Sequence, residues 1–202
     1  MTAAPRLPAQ ERRAAIVASA IKVFSEKGFR GTTTRELAAA AGVSEPVIYH
    51  HFATKRDLYA AIIDSKSNDV ARVVAELESY LLTDDDPGFF RHLAELILRY
   101  HDEDPAYLRL LLYSSLERHE LSDLFHERHA CAFENAVVRY MERRIEQGAF
   151  RSYHPAILAS SFLGMVAHLG MHRMLNPGKP QQIEREQLID GIVNIFLKGI
   201  QQ

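Results

Sequence analysis

Cysteine is almost missing from this chain of 202 residues. Only Cys131 is present, so no internal disulfide can form, and the composition fits the reducing cytoplasm. A lone cysteine of this kind reads as a small apolar residue. The opening Met1-Thr2-Ala3-Ala4-Pro5-Arg6 lacks the apolar stretch of a secretory signal. The longest uncharged run of low polarity, Ala156 to Met171, is shorter than a membrane span and carries Ser160, Ser161 and His168. It is expected to be a buried helix, and no membrane partner is expected. Catalytic signatures are equally scarce: there is no glycine-rich phosphate loop, no Gly-x-Ser-x-Gly elbow and no Cys-x-x-Cys pair. His101-Asp102-Glu103-Asp104 reads as a solvated turn with Asp104 as a cap. No catalytic residue and no cofactor is expected, and the chain does not read as an enzyme.

Period-two alternation, the mark of a strand, is also nearly absent, and helical spacing takes its place. Ile16, Ala20, Val23 and Phe24 share one helix face, with Gly28 as a stop. Thr33-Thr34-Arg35-Glu36 has capping-box spacing and opens a short helix through Leu37, Ala38 and Ala41. Gly42-Val43-Ser44 breaks it, the glycine suiting a left-handed helix stop. Ser44 is placed to cap a second short helix, in whose first turn Pro46 is tolerated. Thr54-Lys55-Arg56-Asp57 is a further capping signal. It opens a long amphipathic helix through Leu58, Ile62, Val70, Val73, Leu77 and Leu81.

Asp84-Asp85-Asp86-Pro87-Gly88 reads as a break. Helical patterns follow at 88–100, 105–118, 121–147, 155–175 and 183–200, divided by His101–Pro105, His119-Glu120, Gln147–His154 and Asn176–Pro180. Pro105 and Pro155 fall at first helical positions, where a missing N–H costs nothing. The expected fold is all-α, about nine helices: an N-terminal three-helix helix-turn-helix domain (1–53) and a C-terminal helical bundle (54–202). Charge divides the same way. Residues 1–60 carry nine Lys/Arg against five acids, and residues 61–202 carry 15 against 21. A basic head on an acidic body suggests that the head meets a polyanion.

Two short helices around a glycine-containing turn make a helix-turn-helix signature, although any antiparallel helix pair shows caps and a glycine. In such a unit the second helix enters the DNA major groove by its N-terminal end. Thr33 and Thr34, at the start of the first helix, can donate hydrogen bonds to phosphate. The stretch Ala14 to Leu58 then adds specificity. It contains Phe24-Ser25-Glu26-Lys27-Gly28, Thr32-Thr33-Thr34, Leu37-Ala38, Ala41-Gly42-Val43-Ser44, Ile48-Tyr49, His51-Phe52, Lys55 and Leu58 in one register. This stretch closely resembles the DNA-binding region of TetR (tetracycline-repressor-like) transcriptional regulators.

The resemblance implies roles by position. Arg35 would reach a base or phosphate, and its fork suits guanine O6 and N7. Glu45, Pro46 and Val47 would read base edges, and Thr34, Tyr49, His50 and Lys55 would hold phosphates. Ser44 lies at the start of the same helix. Glu45 is an acid on the DNA-facing surface, so it requires a base donor or an arginine. Tyr49 and His51 have a second reading, as stabilisers of the small domain, and Ile48 and Phe52 are assigned to its core.

The resemblance also implies that the body holds an inducer pocket and that its last two helices form a homodimer. Small residues at Ala159, Ser160, Gly164 and Ala167 permit close helix approach. Leu188, Ile189, Ile192, Val193, Ile195, Phe196 and Ile200 leave the last helix apolar around much of its girth. The alternative is a helix buried within the monomer. Pocket candidates are Tyr100, Tyr107, Leu111, Phe125, His129, Phe133, Phe162, Met165 and His168, each with ordinary core as the alternative. No buried counter-charge stands out, which favours an apolar or amphipathic inducer. His126/His129 and His168/His172 have spacings that can place two imidazoles on one helix face. Their default reading is surface or core histidine, and no metal is expected. The overall expectation is a ligand-released repressor, with operator DNA, a small-molecule inducer and a second copy as partners. A partner-binding helical module and an all-α metal enzyme are the competing classes.

Overall fold

The computed structural model of the chain describes residues 8–117, 120–176, 178 and 183–201. Its helices are α1 (Ala9–Lys27), α2 (Thr34–Ala40), α3 (Glu45–His51), α4 (Lys55–Asp64), α5 (Ser67–Ser79), α6 (Asp86–Glu103), α7 (Pro105–Leu116), α8 (Glu120–Phe125), α9 (Cys131–Glu146), α10 (Pro155–Leu175) and α11 (Arg185–Ile200). Only Ser65-Lys66 separates α4 from α5, and only a π turn at His126–Ala130 separates α8 from α9. Taking each of those pairs as one helix gives nine among the described residues. The chain is all-α, as expected, with one isolated extended bridge between Phe150 and Gln201. The expected N-terminal segment Met1–Arg6 lies outside the described residues. So do His119 and the residues Pro177, Lys179 and Pro180, where breaks were expected.

Two compact units form. One comprises Met1–Asn68 and Ala106–Arg128, the other Asp69–Pro105 and His129–Gln202. The first is built on the inward stripe Ile16, Val17, Ala20 and Phe24 of α1, spaced by three and four. This stripe meets Leu37, Ala38, Ile48, Phe52, Leu58 and Ile62. Phe24, Phe29 and Tyr59 close one end as an aromatic trio with centroids 5.6–5.7 Å apart. In the second unit α6 packs against both α10 and α11, and α10 also packs against α9. Phe90 is ringed by Phe150, Phe162 and Phe196, while Phe89 stacks on Tyr140 at 3.7 Å.

Several helix limits depart from expectation, each for a local reason. The break at 84–88 is shorter than expected. Asp85 accepts the Gly88 N–H at 2.9 Å and Pro87 sits in the first turn, so α6 already begins at Asp86. The long helix from Thr54 is interrupted where Ser65 Oγ donates to the Ile62 carbonyl at 2.7 Å, a back-bond that bends helices. The helix expected over 121–147 contains the π turn. The Ala156–Met171 run is not a buried helix. The helix holding it, Pro155–Leu175, is long and apolar enough to cross a membrane by length and composition, yet only 28% of its most apolar stretch is buried. Ile157, Ser160, Ser161, Gly164, His168, His172 and Leu175 all face outward.

Candidate nucleic-acid interface

The head is assembled by local capping. Thr33 Oγ1 accepts the Glu36 N–H at 3.3 Å, and Glu36 Oε2 accepts the Thr33 N–H at 2.8 Å, which fixes the start of α2. The same carboxylate pairs with Lys27 at the end of α1. That partner first, and the Thr33 donors after it, pull the Glu36 carboxyl down to about 2. α2 ends at Ala41. Gly42 then takes φ +66° and the Val43 N–H reaches back to the Ala38 carbonyl at 3.0 Å. Thr54 and Asp57 repeat the reciprocal cap at the start of α4.

Ser44 occupies the cap position of α3, but its side chain makes no capping hydrogen bond. The expected side-chain cap is therefore absent, and the exposed hydroxyl is available to an outside acceptor. Along α3, Pro46, Tyr49 and His50 are spaced three and four apart and share the exposed face, while Ile48 and Phe52 turn inward. Glu45 and Val47 are half-buried. Arg35 is exposed, and neither Arg35 nor Glu45 makes an ion pair among the described residues. The Tyr49 hydroxyl lies 3.2 Å from Thr34 Oγ1, although Tyr49 remains 53% exposed. The two side chains expected to hold phosphates thus also tie α3 to α2. Beside them, burial and then the neighbouring His50, Arg12 and Arg13 charges lower the pKa of His51. The protonated ring is disfavoured, which agrees with a packing role.

Lys55, expected to hold a phosphate, also makes contacts within the protein. Its ammonium donates to the carbonyls of Phe29 at 2.6 Å and Thr32 at 2.8 Å and lies 4.2 Å from the Phe29 ring centre. Burial lowers its pKa. Two of its three donors are consumed within the protein, so it clamps the 29–32 turn. The same turn has a second anchor: each Glu117 carboxylate oxygen lies 3.3 Å from the Arg30 amide nitrogen, and Tyr113 donates to the Glu26 carbonyl at 3.4 Å. Sequence reading missed these anchors. Glu117 is 87 residues from Arg30, and no local pattern links them.

The expected ligand residues are dispersed. Tyr107, Leu111 and Phe125 belong to the first unit, and Tyr100, His129, Phe133, Phe162, Met165 and His168 to the second. Two of the nine have clearly defined surroundings. Phe162 is core, 4.7 Å from Phe90 and 5.1 Å from Phe196 by ring centres. His168 lies on the outward face of α10. Tyr107 and His129 are buried, and Tyr100, Leu111, Phe125, Phe133 and Met165 are half-buried. A groove of about 480 Å³ between α1 and α4 is lined by Arg13, Val17, Ile21, Ala61, Asp64 and Lys66, among others, and by none of the nine. A buried charged pair, Asp86 with Arg144, also exists where none was expected. Arg144 donates through Nε at 2.8 Å and Nη2 at 3.0 Å, and Tyr140 donates to the same carboxylate at 2.8 Å. These charges satisfy each other, so neither is left as a ligand's counter-ion.

Residues 16–62 match the family described as bacterial regulatory proteins, tetR family. Residues 91–199 match the AefR-like transcriptional repressor C-terminal domain. The chain is 25% identical to the HTH-type transcriptional repressor AcnR of Corynebacterium diphtheriae, over 86% of each protein. Its fold matches the ketosteroid transcriptional regulator KstR2 of Mycobacterium tuberculosis with a TM-score of 0.69 and 22% identity, covering 95% of each chain. The fatty acid degradation regulator FadR from Bacillus halodurans gives 0.69 at 16% identity, over 96% of this chain and 97% of that one.

Proposed function

The chain belongs to the tetR family of bacterial regulatory proteins, and from that premise we propose that it is a homodimeric repressor released from its operator by a small molecule. It is a DNA-binding transcriptional regulator and not an enzyme. The observation that carries the operator-binding reading is the exposed face of Arg35, Ser44, Pro46, Tyr49 and His50, with Thr33, Thr34, Glu45 and Val47 at its margin. Arg35 and Glu45–Val47 read base edges, and the hydroxyls of Thr33, Thr34, Ser44 and Tyr49 hold phosphates with His50.

The dimer reading rests on α10 and α11. From Ala156 to His172 there is no charged side chain, and Ile157, Leu175 and Ile195 are 62%, 62% and 71% exposed. So much apolar surface on neighbouring helices is what a second copy covers. With two heads, binding requires both half-sites, about one DNA turn (~34 Å) apart.

Release follows from the clamps on the 29–32 turn. α7 carries Tyr107 and Leu111, and Glu117 just beyond it touches the backbone of that turn, while Lys55 of α4 holds its carbonyls. A ligand that displaces α7 or α4 therefore moves the start of α2 and the two-head spacing. The inducer is an apolar or amphipathic small molecule, and the protein works in the cytoplasm.

Mobility shift on the promoter beside its own gene tests this. Arg35→Ala combined with Tyr49→Phe should abolish the specific shift while leaving the dimer intact. Affinity should fall steeply with salt, by a log–log slope of roughly −0.9 per phosphate contacted. A chain that shifts no genomic fragment would sink the proposal.

A further inference from the structure

We propose that His168 and His172 form half of a binding site for a divalent transition-metal ion of the zinc class, completed by the same pair from a second copy. This rests on the dimer reading above. The two residues are four apart on α10 and both are exposed, with ring centres 6.5 Å apart at an interplanar angle of 44°. A tetrahedral ion held at about 2 Å by two imidazole nitrogens brings ring centres to roughly 5 Å. The adjustment is about 1 Å between two side chains that make no hydrogen bond or ion pair among the described residues. The other spaced pair does not qualify: His126 is exposed, but His129 is buried.

The surroundings argue for an ion. The pair sits on the uncharged outward face of α10, beside Gly164 and Leu175. When a second copy covers this face, the imidazoles lose water, and α10 offers no carboxylate to replace it. Arg173, the nearest charged residue on the helix, is engaged with Asp102, which Arg185 also holds at 2.9 Å. A metal ion takes neutral imidazole nitrogens as ligands and satisfies them in an apolar setting. Among the described residues of one chain, no group of three His, Cys, Asp or Glu side chains converges. A single copy thus supplies only half a tetrahedral set. A two-fold contact doubles each residue it includes, and the site requires the axis to pass between the two pairs, so that they supply four ligands to one ion.

The full chain, stripped with EDTA and then dialysed free of it, would be titrated with zinc chloride by calorimetry at neutral pH. Its dimer dissociation constant would be measured by sedimentation with and without zinc. The expected result is one ion per two chains. Zinc at about ten times its own dissociation constant should tighten dimerisation about tenfold by mass action. His168→Ala and His172→Ala should each remove both effects, with the circular dichroism unchanged and a dimer still formed in EDTA. Overturning results are no uptake, one ion per chain without tighter dimerisation, or uptake that survives the double variant. A dimer in EDTA that takes no zinc refutes the metal site alone. A chain that stays monomeric throughout refutes the dimer reading itself.

Discussion

Replacing Gly28 with alanine isolates how the head is anchored. Gly28 ends α1 at φ +70° and ψ 177°, a backbone region used almost only by glycine, and its N–H donates to the Phe24 carbonyl at 2.9 Å. Forcing a side chain into that conformation costs about 1–3 kcal/mol. The new Cβ would also stand 2.5 Å from Glu117 Oε1 and 3.3 Å from Tyr113 Cδ1. The oxygen ends a flexible side chain, so the clash is relieved by swinging Glu117 away. That forfeits its long hydrogen bonds to the Arg30 amide, about 1 kcal/mol more. The expected total is roughly 2–4 kcal/mol. Gly42→Ala is the control: its φ is +66°, but an added Cβ meets nothing within 4 Å, so only the left-handed strain of about 1 kcal/mol applies. Urea unfolding followed by circular dichroism would measure both, and Glu117→Ala completes a double-mutant cycle. In that background the Gly28→Ala cost should shrink by about 1 kcal/mol. An unchanged cost would refute the contact, and equal costs for the two glycines would refute the conformational argument.

Lys55→Met should destabilise the chain by about 1–3 kcal/mol through two abandoned carbonyls, with the salt slope of operator binding unchanged. A slope reduced by about one at full stability would instead make Lys55 a phosphate ligand. Asp86→Ala leaves Arg144 buried without its main partner and should cost about 3–5 kcal/mol, read from the shift in urea midpoint. The Glu36 carboxyl is lowered to about 2, chiefly by Lys27. Because the folded value is depressed, its contribution is complete above the ordinary 4.5 and is lost as pH falls through about 2. Glu36→Gln should therefore flatten the acid limb of a helicity titration in that window, and an unaltered limb would contradict the ion pair.

What could be read from the sequence was whatever is encoded locally. The Thr33–Glu36 and Thr54–Asp57 caps, the left-handed Gly42 and the inward Ile48 and Phe52 depend on residues within a turn or two, and all appear as expected. What escaped depends on partners far along the chain. Glu117 meets Arg30, and Asp86 meets Arg144 across 58 residues. No periodicity announces such pairs. The Ala156–Met171 run failed differently. Hydrophobic content alone does not distinguish a helix covered all round by its own chain from one left open on one face, and here the outward His168 and Ser160 mark the uncovered side.

The same distinction governs how variants of the head should be read. Lys55 stands where the motif suggests a phosphate contact, yet its donors point at Phe29 and Thr32. Tyr49 and Thr34 are exposed enough to meet a backbone, but they also bind each other. Loss of operator binding in variants at these positions has two possible origins, a lost contact or a displaced α2. Arg35 differs, because it is exposed and makes no ion pair among the described residues. Its removal disturbs nothing within the head, so a change in base preference on Arg35→Ala at unaltered stability is direct evidence of readout. Weakened binding in Lys55 or Glu117 variants is evidence about the clamp that sets the start of α2.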